Sequence, residues 1–243
     1  MTDQFARTEM LLGPTAMQVL ADSQVAVFGL GGVGSFAAEA LARAGVGHLV
    51  LVDHDDICIT NINRQLHATH QTIGQAKVEV MRQRIMSINP IAAVEPHQVF
   101  YPGEHPETLV RPEYDYIIDA IDTVTSKLEL IAHAKSLHVA IISCMGTGNK
   151  LNPARLEIAD IYDTSVCPLA KVMRRELRKR GVESLQVVYS REEPLIPLTG
   201  ADDCSGNPQA QVNGRHIPGS ISFVPPVAGF LMAGAVIRSL ISR

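Results

Sequence analysis

Four of the six residues from 29 to 34 are glycine: Gly29, Gly31, Gly32 and Gly34. They follow directly on four apolar residues, Val25, Ala26, Val27 and Phe28. Gly29, Gly31 and Gly34 satisfy G-x-G-x-x-G in the strand–turn–helix setting that the pattern requires. In such a turn the first glycine allows the bend, the second lets backbone approach a phosphate, and the third lets helix pack on strand. The helix start then offers free N–H groups and a partial positive charge. The expected chemistry is phosphate binding by Gly29, Gly31, Gly32, Val33 and Gly34. The turn alone serves NAD, FAD and ATP equally.

A strand over 48–52 ends at Asp53, about 20 residues beyond Gly34, where an acid accepts hydrogen bonds from ribose hydroxyls. Such an acid disfavours NADP, whose 2′-phosphate it would repel. A long polar loop follows, Asp55-Asp56-Ile57-Cys58-Ile59-Thr60-Asn61-Ile62-Asn63-Arg64-Gln65, and then Lys77 near the head of a helix over 76–87. A dehydrogenase would enter its third strand here, and hydride transfer has no need of these cations. Attack of a carboxylate on the α-phosphate of ATP does need them. Negative charge gathers on the phosphorane and on departing pyrophosphate, and fixed cations in a dry site stabilise it. Taken alone, the loop fits a solvated stretch with surface Arg and Lys equally well.

Further on, Asp119 and Asp122 follow an apolar strand over 114–118. Open α/β sheets bind ligands just outside the carboxyl ends of their strands, so these acids are candidates for the site. Asp122 also suits the N-cap of a helix over 123–134.

The elements that must position these groups alternate as in an α/β protein. Two short helical pieces over 8–21 are separated at Gly13-Pro14, because proline cannot continue the first. A helix over 35–44 ends at Gly45, which favours a left-handed cap. Residues 94–99 read as a strand edge broken by Pro96, and residues 139–143 as a further strand with Cys144 at its end. Past the loop 146–150 come a short strand over 156–159 and a helix over 169–180. That helix sets Leu169, Val172, Met173 and Leu177 on one face. Lys171, Arg174, Arg175 and Arg178 lie on the other, joined by Lys179 and Arg180, with Glu176 as their one acid. Such a stripe is a solvated face or a phosphate-backbone patch for RNA. The apolar run 227–237 after Pro225-Pro226 is short of the roughly 20 residues that span a bilayer. It reads as a core or dimer helix starting after the prolines, with peripheral membrane contact the lesser alternative.

With 243 residues and 46% hydrophobic content, the chain can bury one large core. A net charge of −4 does not mark it overall as a nucleic-acid binder. Cys58, Cys144, Cys167 and Cys204 contain no C-x-x-C pair, which argues against a Cys-based zinc site and a disulfide scaffold. The polar N-terminus carries no signal peptide pattern. The reading is a reduced, cytoplasmic protein.

The run GLGGVG…LVDHDDICITNINRQ…GQAKVE resembles the E1-like (ubiquitin-activating-enzyme-like, ThiF/MoeB/HesA) adenylating superfamily. The resemblance implies one E1-like adenylation domain over 1–243. It would comprise a Rossmann-like nucleotide-binding sheet, to about residue 145, and a C-terminal extension of further strands and helices. It also implies acyl-adenylate formation from ATP and Mg²⁺. Gly31 to Gly34 would contact phosphate, Asp53 the ribose, and Asp55 would lie beside the nucleotide. Asn61, Arg64, Gln65 and Lys77 would hold the triphosphate. Asp122 matches the family's acid near Mg²⁺, with Asp119 able to support it. Phe5-Ala6-Arg7 is similar to an N-terminal segment whose arginine acts in the partner's site, which implies a homodimer with Arg7 supplied in trans.

The half beyond Met145, with GTGNKLNPARLEIADIYDTSVCPLAKVMRRELRKRGV, VVYSREEP and PGSISFVPPVAGF, resembles the tRNA threonylcarbamoyladenosine dehydratase branch. That implies a tRNA substrate whose threonylcarbamoyl carboxylate is adenylated and then closed into a ring with loss of water. Lys171, Arg174, Arg175 and Arg178 then become candidate tRNA contacts. Some relatives carry a cysteine in the stretch matching residues 216–220, and this chain has none there. Cys204, in the polar stretch 200–219, is expected to have no catalytic role. Two rivals stand beside this reading. One is adenylation of a ubiquitin-like sulfur carrier, although the two C-x-x-C pairs usual in that branch are missing. The other is an NAD-dependent oxidoreductase or NAD-binding module. Sulfur-transfer proteins are a further expected class of partner.

Overall fold

A computed structural model describes residues 3–103, 106–198 and 218–242. In chain order the elements are α1 (Ala6–Asp22), β1 (Gln24–Phe28), α2 (Gly34–Ala44), β2 (His48–Val52), α3 (Lys77–Ile88), β3 (Ala93–His97) and β4 (Tyr116–Asp119). They continue with α4 (Val124–Ser136), β5 (Ala140–Cys144), β6 (Leu156–Asp160), α5 (Pro168–Lys179), β7 (Gln186–Ser190) and α6 (Val224–Ile241).

The seven strands form one sheet in the order β3-β2-β1-β4-β5-β7-β6. All pairs are parallel except β6 with β7. The chain winds one way from β1 to β3 and the other way from β4 onward. The reversal falls between β1 and β4, so a crevice opens at their carboxyl ends, where such sheets bind ligands. Strand alternation divides the core. Val25 and Val27 face a cluster with Leu41, Met81 and Met232. Ala26 and Phe28 face another with Ile131, Met173 and Leu177. Both faces are covered, which is why β1 is apolar from Val25 onward and β4 as far as Ile118.

The anticipated break at Gly13-Pro14 is present: α1 is two helices merged across a kink, with Gly13 at φ 78° and ψ 164°. Gly45 caps α2 in the left-handed conformation at φ 97°. Three expectations need correction. Pro96 does not interrupt β3 but sits inside it, opposite Leu51; β3 is an edge strand, with a ladder on one side only. Val172 is 36% exposed, and Ala170 takes its place in the core beside Met173 and Leu177. The helix α6 begins before the prolines and runs 18 residues, because proline in a first turn removes no hydrogen bond that the helix would make. By length and composition α6 could cross a membrane, but more than half of it is buried inside the protein, against α2 and the sheet.

Cys144 and Cys167 are free and buried. Cys204 and most of the stretch 200–219 lie outside the described residues.

Candidate nucleotide site

The turn after β1 is built from steric necessity. Gly29 has φ 87°, and a Cβ there would lie 2.7 Å from the Ala120 carbonyl oxygen. A Cβ on Gly34 would lie 1.8 Å from the Gly29 carbonyl oxygen, so only glycine lets α2 start this close to β1. Gly32 is confined by Pro225 and Arg64, at 3.0 and 3.2 Å from the same construction. Gly31 is the exception, with nothing within 4 Å. The turn is therefore closed on its protein side and open at Gly31, where a ligand's phosphate can approach.

Asp53 ties this turn to the next strand. Its Oδ2 accepts the Leu30 N–H at 2.6 Å and its Oδ1 the Asp55 N–H at 2.9 Å. Each oxygen keeps a second acceptor position for a ribose hydroxyl. Lys77, at the head of α3, is only 4% exposed. Its Nζ lies 2.6 Å from Asp55 Oδ2 and 4.0 Å from Asp53 Oδ1. Asp55 also meets His54 Nε2 at 3.0 Å, so it pairs with the cation beside the expected nucleotide.

Arg64 donates from one guanidinium nitrogen to the Thr60 carbonyl and to Asn63 Oδ1, both at 2.9 Å. Among the described residues no carboxylate pairs with it. Burial without a counter-charge pushes its pKa down from the ordinary value. Asn61 is buried, and its Oδ1 accepts the Cys58 N–H at 3.1 Å, so one side-chain atom shapes the loop. Gln65 and His67 are buried as well, and Gln65 Oε1 and both His67 ring nitrogens lack partners among the described residues. Burial, then the nearby Lys77 and Arg84, hold His67 neutral with its pKa lowered to about 4. Only its burial sets this histidine apart, and sequence reading passed it over.

The acids after β4 divide the work. Asp119 is fully buried and accepts Ser143 Oγ at 2.6 Å, the Ile121 N–H at 3.2 Å and Lys127 Nζ at 2.9 Å. Lys127, also fully buried, donates at 3.0 Å to the Ile121 carbonyl. This ion pair pins residues 119–121, which lie against Gly29. Asp122 is the next residue and is exposed. It is not the N-cap: Thr123 is, without a side-chain cap bond, and its hydroxyl donates to Asp122 Oδ1 at 3.3 Å. The Asp122 carboxylate is thereby left facing outward. Lys127 and Ser143 were missed from the sequence. The legible signal was a lysine at helical spacing with Ile131 and Ala134, on a face otherwise apolar.

Arg7 is exposed on the first turn of α1 and forms no ion pair among the described residues. On α5 the cations are unequal. Arg174 donates to the Thr164 carbonyl at 2.9 Å and to its hydroxyl, and Arg178 lies over the Tyr162 ring at 5.0 Å. Arg175, Lys179 and Arg180 gather on Glu176, whose pKa is lowered to about 2 by hydrogen bonds from Lys179 and Arg175. Lys171 is exposed.

A doubly wound sheet with a glycine turn at its switch point, an acid at the end of the next strand and cations beside that turn defines an α/β protein of the nucleotide-binding kind. The chain belongs to the ThiF family, whose family model matches residues 5–243. It is 45% identical over 243 residues to tRNA threonylcarbamoyladenosine dehydratase of Bacillus subtilis, covering 99% of this chain and 96% of the relative. It is 33% identical over 252 residues to the Escherichia coli protein of that name, covering 99% and 94%. The solved structure of the Escherichia coli dehydratase in complex with ATP superimposes with a TM-score of 0.85, covering 98% of this chain and 94% of that one.

Proposed function

We propose that this chain uses ATP to dehydrate threonylcarbamoyladenosine in tRNA. The observation that carries the reading is a full-length likeness to a dehydratase solved with ATP, joined to an open Gly31 with Arg64 and Lys77 beside its turn. The side-chain carboxylate oxygen attacks the α-phosphorus, and the bond to pyrophosphate breaks. Arg64 and Lys77 offset the charge that builds on the phosphates. A carbamoyl nitrogen of the same side chain then attacks the activated carbonyl, loses its proton and expels AMP. The ring closes with net loss of water. Because both groups belong to one side chain, proximity supplies much of the acceleration of the second step. Incubation with ATP, Mg²⁺ and modified tRNA should yield AMP and a nucleoside lighter by one water. AMP release without that mass change would point instead to a sulfur-carrier substrate, and turnover of NAD to an oxidoreductase.

For Mg²⁺ the donor set fits. Asp122 offers an outward oxygen ligand, while Asp119 is committed to Lys127, Ser143 and Ile121. In the Asp53, His54 and Asp55 group, close enough to share an ion, Lys77 already pairs with Asp55 at 2.6 Å and lies 4.0 Å from Asp53. Asp122, with the phosphates, is therefore the ligand we assign, and the ion would neutralise phosphate charge. We also assign a homodimer in which Arg7 reaches the partner's ATP site. Asp122→Asn should lose Mg²⁺-dependent turnover far more than ATP affinity. Mixing it with Arg7→Ala should restore one working site per heterodimer. Silence from confirmed heterodimers would remove the trans arrangement, and equal loss of binding and turnover would remove the metal role.

For tRNA we keep α5 as the docking face, through Lys171, Arg174, Arg175 and Arg178. Counterion release gives a salt slope of about −0.7 to −0.9 per neutralised phosphate. Replacing Arg174, Arg175 and Arg178 by Gln should flatten that slope and raise the KM for tRNA, with ATP affinity unchanged. Since Arg174 and Arg178 also pack on Thr164 and Tyr162, the competing outcome is a lower melting temperature with the slope retained, and that outcome excludes the helix as an RNA site. A tRNA substrate supports a cytoplasmic location, and sulfur-transfer proteins remain a proposed class of partner. The buried α6 favours a core role over peripheral membrane contact.

A further inference from the structure

Arg64 is held to its place by its neighbour, and that neighbour is held by the other half of the chain. Asn63 Oδ1 accepts the Arg64 guanidinium at 2.9 Å, while Asn63 Nδ2 donates to the Ser220 carbonyl at 3.0 Å. Only one orientation of the amide satisfies both bonds, because the guanidinium has donors only and the carbonyl accepts only. Asn63 is exposed and contributes nothing to the core, so its two bonds have no evident packing purpose.

The Ser220 end is itself fixed. The preceding residue, Gly219, is bracketed by Asn149: the Asn149 N–H donates to the Gly219 carbonyl at 2.7 Å, and the Gly219 N–H donates to Asn149 Oδ1 at 2.7 Å. Asn149 adopts φ 58°, a left-handed conformation that costs a non-glycine residue free energy and persists where its surroundings over-determine it. Gly148 lets the chain come this close, since a Cβ there would lie 2.8 Å from Pro218 Cβ. At the far end, the Arg64 stem lies against Gly32, which also touches Pro225. Two separate contacts from residues 220–225 thus converge on Arg64 and the turn beside it.

We propose that Asn63 is a positioning residue for Arg64, linking the segment that leads into α6 to the cation at the phosphate site. Two other candidates are weaker. The Asp53, His54 and Asp55 cluster already has its cation in Lys77, and the cleft beside Glu113, Lys135 and His138 at the amino ends of β4 and β5 has no feature that selects a ligand. The proposal rests on the reading that Arg64 serves the ATP phosphates.

The test is a double-mutant cycle on the full chain, measuring AMP formation in single turnovers, ATP affinity and thermal unfolding. Asn63→Ala should slow AMP formation about tenfold, the scale expected for losing a hydrogen bond to a charged group, with the unfolding midpoint unmoved. Asn63→Ala added to Arg64→Ala should cause no further loss, because the residue acts only through the arginine. If Arg64→Ala is severely impaired but Asn63→Ala behaves as wild type, the positioning role is wrong and the reading of Arg64 stands. Equal losses from Asn63→Ala in both backgrounds also overturn the positioning role. If Arg64→Ala itself turns over normally, the reading and the inference fall together.

Discussion

Lys77→Ala and Arg64→Ala should each lower turnover by about 100- to 1,000-fold, the usual cost of removing one preorganised transition-state donor. The structure separates this loss from any loss of fold. Lys77 pairs with Asp55, whose side chain is 48% exposed, so water can solvate the carboxylate once the ammonium is gone. Among the described residues Arg64 donates to a carbonyl and an amide oxygen, both on exposed residues, so water can take the place of the guanidinium. Stability should therefore change little while AMP formation collapses. Steady-state and single-turnover rates, read beside a thermal melt, check this directly. Near-normal turnover in both variants would remove the adenylation reading.

Lys127→Met should do the reverse, striking stability first. Asp119 and Lys127 are both fully buried and 2.9 Å apart. Removing one member leaves an uncompensated charge in the core, at a cost of about 3–5 kcal/mol. Asp119→Asn combined with Lys127→Met should recover much of that, because no buried charge remains, the Asn oxygen can accept the Ile121 N–H, and the Ser143 hydroxyl can turn to accept from the amide nitrogen. Urea or thermal unfolding of the single and double variants distinguishes the cases. A single variant as stable as the parent would show that the pair contributes nothing net. The double variant is expected to fold and yet to catalyse poorly, since the clamp between Lys127 and the Ile121 carbonyl that sets residues 120–122 would be gone.

The sheet and the phosphate turn were legible because each rests on a short-range rule. Apolar runs bounded by glycine marked β1 and β2, and the turn needs glycine at fixed positions whatever lies elsewhere. Boundaries slipped where tertiary context decides. Pro96 looked like a break because it donates no ladder hydrogen bond, and the strand order shows how β3, at the sheet's edge, keeps it inside the strand. The α5 stripe was visible as periodicity, but its internal partners, Thr164 and Tyr162, come from a turn whose placement no helical pattern encodes. Asp119 and Lys127 illustrate the same limit. Asp119 was read as a site acid without its partners and Lys127 went unread; the register of β4 beside β5 sets Ser143 against Asp119, and the docking of α4 brings Lys127 to the same carboxylate. Asn63 and Ser220 are 157 residues apart, a separation at which spacing carries no information.

A Cβ on Gly229 would lie 2.4 Å from the Val33 carbonyl oxygen, which means that α6 presses directly on the backbone entering α2. This contact has a consequence for the order of assembly during synthesis. The phosphate turn is translated near the start of the described chain, while the helix that buttresses it is translated after every strand. A nascent chain can therefore pair β1, β2 and β4 early, yet its nucleotide pocket lacks one wall until α6 has emerged and docked. The first half taken alone therefore lacks the backbone contact that Gly229 makes with Val33 at the entry to α2.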